Sequence, residues 1–228
     1  MYEKIKDSFY KIKTERPSCT SYLILDDQKN ILIDPGLFQK FHLLKEDLEN
    51  IGIKVEDIDI IINTHEHGDH IGANKYFQKT ATIMAHRYAA TKIIYSDLEV
   101  LRGRGKEHDP RGYEVHVWLE NNNIIQLNDK ILRIIYTPGH TSGSICIYET
   151  RQKLLFTGDT LFSKGTISSI SSSGSYGEYI NSLQILKTYK INTILPGHGS
   201  LSNNVDMDID TGIKNAQKRH KDYLENYT

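Results

Sequence analysis

Cysteine is scarce in this 228-residue chain: only Cys19 and Cys146 occur. Two are too few for a disulfide framework, and they form no CxxC pair. A reducing, intracellular home, the cytoplasm, is the expectation. Long hydrophobic runs are missing as well. No window approaches the ~20 consecutive apolar residues of a membrane span. The segment Met1-Tyr2-Glu3-Lys4-Ile5-Lys6-Asp7 mixes charges where a signal peptide needs an apolar run, so no membrane partner is expected. Neither sign of charge is in excess, with 28 Lys+Arg against 29 Asp+Glu and a formal net charge of -1. Nucleic acid, whose phosphates call for concentrated positive charge, is therefore not the expected partner. The chain also lacks an internal repeat, a Walker-type Gly-Lys-Ser/Thr loop and a GxSxG elbow.

What is present has the balance of an ordinary globular protein, with 38% hydrophobic and 25% charged residues. The length suits one large domain, and a single domain over 1–228 is expected. Tyr22-Leu23-Ile24-Leu25 and Asn30-Ile31-Leu32-Ile33-Asp34, parted by a polar tetrapeptide, predict a hairpin. Phe41, Leu44, Leu48 and Ile51 follow a helical period that stops at Gly52. Asp59-Ile60-Ile61-Ile62-Asn63 reads as a strand buried on both faces. A helix over Ile71–Gln78, a strand at Ala81–Ala85 and a helix over Tyr88–Leu101 are expected next. The loop-like runs Arg102-Gly103-Arg104-Gly105-Lys106 and Asp109-Pro110-Arg111-Gly112 make 87–123 an expected insertion near the mouth of a site. Strands follow at Ile131–Thr137, Ser144–Glu149, Lys153–Thr157 and Thr193–Leu195, with helices over Tyr179–Lys190 and Ile209–Tyr227. Ser168–Ser175 reads as a flexible Ser/Gly loop. The class is α/β, with two packed sheets.

Three of the ten histidines fall within six residues, in Thr64-His65-Glu66-His67-Gly68-Asp69-His70, directly after the apolar strand. Neutral imidazoles and carboxylates are the donors that borderline metals such as zinc prefer. The turn is not a zincin motif, because Asp69 stands where that pattern needs its second His. Three more apolar runs end in Gly and a potential ligand. Ile134-Ile135-Tyr136-Thr137-Pro138-Gly139-His140 delivers His140, Leu154-Leu155-Phe156-Thr157-Gly158-Asp159 delivers Asp159, and Ile194-Leu195-Pro196-Gly197-His198 delivers His198. Gly lets each backbone turn sharply at the strand end without a Cβ clash. Cys146, inside an apolar run, reads as a small buried hydrophobe.

In this order and spacing, the four motifs resemble those of the metallo-β-lactamase-fold hydrolases, over about Ser21 to Leu201. The resemblance implies an αββα sandwich and a binuclear site. His65, His67 and His140 would hold one divalent ion, Asp69, His70 and His198 a second, and Asp159 would bridge them. Asp69 would also steer the nucleophile. Two ions, most simply zinc with iron or manganese as alternatives, would share a water deprotonated near neutral pH, and the resulting hydroxide would attack a carbonyl or phosphoryl centre. Asp34 would orient ligands from behind. Iron-dependent redox members replace the second His of the turn with an acidic residue, whereas this chain keeps His67.

Within the superfamily, Thr137–Cys146 and Thr157-Gly158-Asp159-Thr160-Leu161-Phe162 are similar to the glyoxalase II branch, which cleaves glutathione thioesters. Thr166-Ile167-Ser168 departs from that branch's Cys-Gly-Arg stretch, and the chain ends at Thr228 without its C-terminal helical extension. A smaller thioester or an ester is therefore the expected substrate. Lys214, Lys218 and Arg219 read as a solvated helix face. Lactonase is the alternative within the fold, but Phe162 stands where lactonases carry a Tyr, so Tyr176 or Tyr179 would have to substitute. A nuclease is the alternative from another class. The resembled fold hosts such enzymes, and the basic run at 102–106 adds local support, diluted by Glu107, Asp109 and Glu114. Tyr88, Tyr95, Tyr113 and Trp118 have three readings: a substrate pocket, a homodimer contact, or plain packing in a small satellite helix cluster.

Overall fold

The computed structural model describes residues 1–101 and 111–227, so the basic run at 102–106, together with Glu107 and Asp109, lies outside the described residues. The chain divides into two compact units, Met1–Leu119 with Gln126–Asp129, and Glu120–Ile125 with Lys130–Thr228.

Among the described residues, the first unit is built on a seven-stranded sheet whose spatial order follows the sequence: β1 (Tyr2–Lys6), β2 (Phe9–Lys13), β3 (Thr20–Ile24), β4 (Ile31–Ile33), β5 (Ile60–Asn63), β6 (Thr82–His86) and β7 (Val117–Leu119). The first four pair antiparallel and β4 through β7 pair parallel. Helix α1 (Phe41–Ile51) lays Leu44 and Leu48 on Leu23, Leu32, Ile61 and Ile83 of the sheet. It ends at Gly52, whose φ of 93° is the left-handed cap that a side chain would resist. Ile61, Ile62 and Asn63 are buried, as a parallel strand covered on both faces requires. The short α2 (Gly68–Ile71) follows β5. After β6 come α3 (Arg87–Ile94) and α4 (Leu98–Leu101), and α3 buries Ala89, Ala90 and Ile93 in a cluster with Ile71 and Tyr113.

The second unit carries a five-stranded sheet in the order β12 (Thr193–Pro196), β11 (Leu154–Gly158), β10 (Ile145–Glu149), β9 (Ile131–Tyr136) and β8 (Ile124–Gln126). Its hydrophobic cluster joins α5 (Tyr176–Leu186) and α6 (Val205–Tyr227) to Ile135, Cys146, Leu155 and Ile194.

Two expected helices come out differently. Instead of a helix over Ile71–Gln78, α2 passes into a 3-10 turn at Gly72–Tyr76. A Cβ on Gly72 would stand 2.6 Å from the Phe38 amide nitrogen. Asn74 exchanges amide hydrogen bonds with Asn63 at 2.8 and 3.3 Å, which ties the turn to the strand. The helix expected over Tyr88–Leu101 breaks after Ile94, because Ser96 takes a left-handed φ of 56°. β1, β2, β7 and β8 were not expected. β7 lies within 87–123, yet it pairs with β6 as a strand of the sheet.

Candidate metal centre

In the first unit, His65, His67, Asp69 and His70 leave the C-terminal end of β5 on one turn. His65 and His70 are buried, and His67 and Asp69 are half-buried. Behind them stands Asp34, at a φ of 51° that Asp tolerates better than most side chains. Its Oδ1 accepts the Thr64 amide at 2.8 Å, and its Oδ2 accepts the Thr64 hydroxyl at 2.6 Å and His70 Nδ1–H at 2.8 Å. Since Thr64 donates to Asp34, its oxygen accepts from His65 Nδ1–H at 3.1 Å. One carboxylate thus sets the tautomer of two imidazoles and leaves each Nε2 lone pair facing away from Asp34. His65 Nε2 lies 3.1 Å from His67 Nδ1. Two nitrogens bound tetrahedrally to one ion at about 2.0–2.1 Å would stand about 3.3 Å apart, so the spacing fits a shared divalent ion.

Glu66, between the two ligands, is buried and pairs with Lys92 of α3 at 3.2 Å. His86, at the end of β6, is buried, and its pKa is pushed down to about 4. The loss of hydration dominates, and Arg87 and Lys92 add to it. Cys19, Asp34 and His70 bring their potential donor atoms within 4.8 Å of one another. Burial holds the Cys19 thiol up at about 12, which keeps it protonated at neutral pH.

In the second unit, His140, Asp159 and His198 follow β9, β11 and β12. His140 Nδ1–H donates to the Ser169 carbonyl at 2.6 Å. A carbonyl only accepts, so Nε2 keeps its lone pair. The Asp159 carboxylate stands between two imidazoles, with Oδ2 3.7 Å from His140 Nε2 and Oδ1 3.6 Å from His198 Nε2. That is the disposition a bridging carboxylate would have. The Gly197 amide donates to the Gly158 carbonyl at 2.7 Å and ties the two ligand-bearing strand ends together. The His140 turn is pressed against α5: a Cβ on Gly139 would meet Tyr179 Cα at 2.4 Å, and the Ser182 hydroxyl donates to the Pro138 carbonyl at 2.6 Å.

Several sequence readings change. Tyr179 is not a substitute for a lactonase tyrosine. Its ring is fully buried, and its hydroxyl lies 3.0 and 2.7 Å from the Asp159 and Thr160 carbonyls and accepts from the Ser168 amide at 3.1 Å. Tyr176 is stacked on His220, with Tyr223 also in ring contact. Tyr113 is buried and donates to the Gly72 carbonyl at 2.8 Å, whereas Tyr88, Tyr95 and Trp118 are exposed. The start of the Ser/Gly loop is anchored, and Arg219 is not simply solvated: it donates to the Ile167 and Ser168 carbonyls. Neither that anchoring nor the Glu66–Lys92 pair left a signal in the sequence: a main-chain carbonyl has no letter of its own, and Glu66 and Lys92 meet only through the fold.

The model of the metallo-beta-lactamase superfamily matches residues 15–198, and the chain belongs to that family. It is 36% identical to "Probable metallo-hydrolase MJ0888" of Methanocaldococcus jannaschii, over 81% of this chain and 89% of the relative. It is 35% identical to hydroxyacylglutathione hydrolase of Pelagibacter ubique, covering 78% of this chain but only 65% of that enzyme's length. Human acyl-coenzyme A thioesterase MBLAC2 is 25% identical over 78% of this chain and 71% of its own. The fold is that of a metallo-beta-lactamase family protein of Thermus thermophilus, TTHA1429, at a TM-score of 0.78, with 96% of this chain and 82% of that one covered at 19% identity. The chain is thus a hydrolase of the metallo-β-lactamase fold, from a superfamily that typically binds divalent metals. Among the described residues, no helix is long and apolar enough to cross a membrane.

Proposed function

We propose that the protein is a binuclear metal-dependent hydrolase acting on a small-molecule thioester or activated ester. In this reading, His65, His67 and His140 hold one divalent ion, Asp69, His70 and His198 the other, and Asp159 bridges. Zinc is the first choice, with iron or manganese as alternatives. Such ions supply Lewis acidity, lowering the pKa of a water toward ~7 and stabilising negative charge at a carbonyl oxygen. The chain's own part is orientation. Asp34 fixes His65 and His70, and the Ser169 carbonyl fixes His140. In this reading Asp69 would accept a hydrogen bond from the attacking water.

The observation that carries the substrate class is the 35% identity to a hydroxyacylglutathione hydrolase across most of this chain. The similarity to an acyl-coenzyme A thioesterase favours the thioester over any one carrier. Phe162, edge-on to His198 with ring centroids 6.3 Å apart, offers a packing surface and no hydroxyl. That disfavours a lactonase, and the engagement of Tyr179 with the main chain removes its nearest substitute.

The test is relative kcat/KM of metal-replete protein on thioester, aryl ester, homoserine lactone, phosphodiester and β-lactam panels, beside elemental analysis. About two ions per chain and a preference for thioesters are expected. A phosphodiester preference would overturn the substrate class alone, and a metal content near zero after reconstitution would overturn the whole reading. Phe162→Tyr should raise lactone turnover if the missing hydroxyl is the barrier.

A further inference from the structure

Residues Ile167–Ser169 belong to no helix or strand, yet five hydrogen bonds meet on them. The Ser168 amide donates to the Tyr179 hydroxyl at 3.1 Å, and the Ser168 hydroxyl donates to Asp159 Oδ2 at 3.4 Å. The Ser169 carbonyl accepts from His140 Nδ1–H at 2.6 Å. Arg219 Nη1, reaching across from α6, donates to the Ile167 carbonyl at 3.3 Å and the Ser168 carbonyl at 2.9 Å. One turn earlier on the same helix, Asn215 donates to the Gly165 carbonyl at 2.7 Å, where a Cβ on Gly165 would run into Thr211 at 2.4 Å. The segment is therefore a strap, held from one side by α6 and reaching two candidate ligands on the other.

We propose that Arg219 is a positioning residue for the His140–Asp159 pair, acting through this strap. Irregular chain lacks the hydrogen-bond ladder that fixes carbonyl directions in helices and strands, so side chains must supply the fixing contacts. A guanidinium keeps its donors in a rigid plane, so one group can hold two successive carbonyls in a fixed relation. With the Ile167 and Ser168 carbonyls fixed, the next carbonyl, that of Ser169, is aimed at His140 Nδ1, and the Ser168 hydroxyl is aimed at Asp159. Ile167, buried in the α5–α6 cluster, closes the strap on its apolar side. Arg219 itself is exposed and touches no candidate ligand, so its removal should leave the fold standing.

The inference rests on the metal-binding reading above, and the experiment separates the two. Zinc affinity is measured by chelator competition, and the visible absorption of the cobalt-loaded protein is recorded, for the unaltered chain, Arg219→Ala, Arg219→Lys and the same-helix control Lys218→Ala. Loss of a partner that orients a metal ligand costs 10–100-fold in affinity, and one step further out about tenfold is expected for Arg219→Ala. A changed cobalt spectrum and a lower kcat at unchanged KM should accompany it. Arg219→Lys should recover part of the affinity, since an ammonium can still reach one carbonyl, and Lys218→Ala should match the unaltered chain. If Arg219→Ala keeps the parent affinity and spectrum, or if Lys218→Ala loses as much, the strap does not position His140. If the unaltered chain binds no ion, the metal reading falls and this inference falls with it.

Discussion

In the first unit, four candidate ligands lie within six consecutive residues, His65–His70, and a single side chain, Asp34, orients two of them. In the second unit, three candidate ligands stand at the ends of three different strands, and main chain does the orienting: the Ser169 carbonyl for His140 and the Gly158–Gly197 bond between the strand ends. The first arrangement is concentrated, so one substitution reaches several ligands at once. The second is distributed, and its precision depends on how helices and loops pack behind it.

The largest effect is expected from the second unit. Asp159→Ala removes the carboxylate that stands between His140 and His198, and kcat/KM on a thioester should fall about a thousandfold or more, with bound metal reduced and the circular dichroism unchanged. Full turnover in that variant would mean the bridge is misassigned. His116→Ala is the control: the imidazole accepts the Ile83 amide at 2.9 Å, so stability should drop by about 1 kcal/mol with activity retained.

Asp34→Asn tests the concentrated arrangement. An amide offers one acceptor oxygen where the carboxylate has two, so the Thr64 amide on Oδ1 and the Thr64 hydroxyl and His70 Nδ1–H on Oδ2 can no longer all be served. Zinc affinity should weaken about 10–100-fold, and the His65 and His70 ring signals should both move in NMR spectra. A shift confined to His70 would show that the Thr64 relay is not shared.

Tyr179→Phe probes the distributed arrangement, deleting the hydroxyl between the Asp159 and Thr160 carbonyls and the Ser168 amide. A loss of about 1–3 kcal/mol is expected, or about 2–12 °C in Tm for a protein of this size, with His140 rather than His65 perturbed. An unchanged melting curve would argue that the packing of α5 alone holds the strap.

The smallest effect concerns pH. His86 has a folded pKa of about 4, below the ~6.5 of an unfolded histidine, so the folded state resists its protonation. The stability this group contributes is complete above ~6.5 and is lost as pH falls through the window down to about 4. Replacing His86 by Gln should flatten Tm against pH over that window. An unaltered slope would assign the dependence to other groups.

The concentrated half was legible in the sequence because its chemistry is local: a strand, a turn and a dense set of imidazoles can be read in one pass. The distributed half was legible only as ligands, since each sits after a Gly at the end of an apolar run. What holds those ligands was not legible. Arg219 is 52 and 51 residues from the two carbonyls it grips, and the grip is on main chain. The N-terminal strands were not legible because lysines and a glutamate interrupt their apolar pattern; β1 is the exposed sheet edge, and β2, beside it, buries only Phe9 and Ile12. β7 was hidden in the expected insertion, where only three residues pair.

Asp34 has a further consequence, for binding cost. A ligand side chain that rotates freely loses rotamer entropy when it is captured, and that loss subtracts from affinity. The imidazoles of His65 and His70 are immobilised by folding itself, through hydrogen bonds they make whether or not an ion is present. Their ordering is charged to the stability of the first unit rather than to capture. A chain that relaxed Asp34 should gain freedom around this turn and lose selectivity, accepting a wider range of ions because it no longer presents one preset geometry.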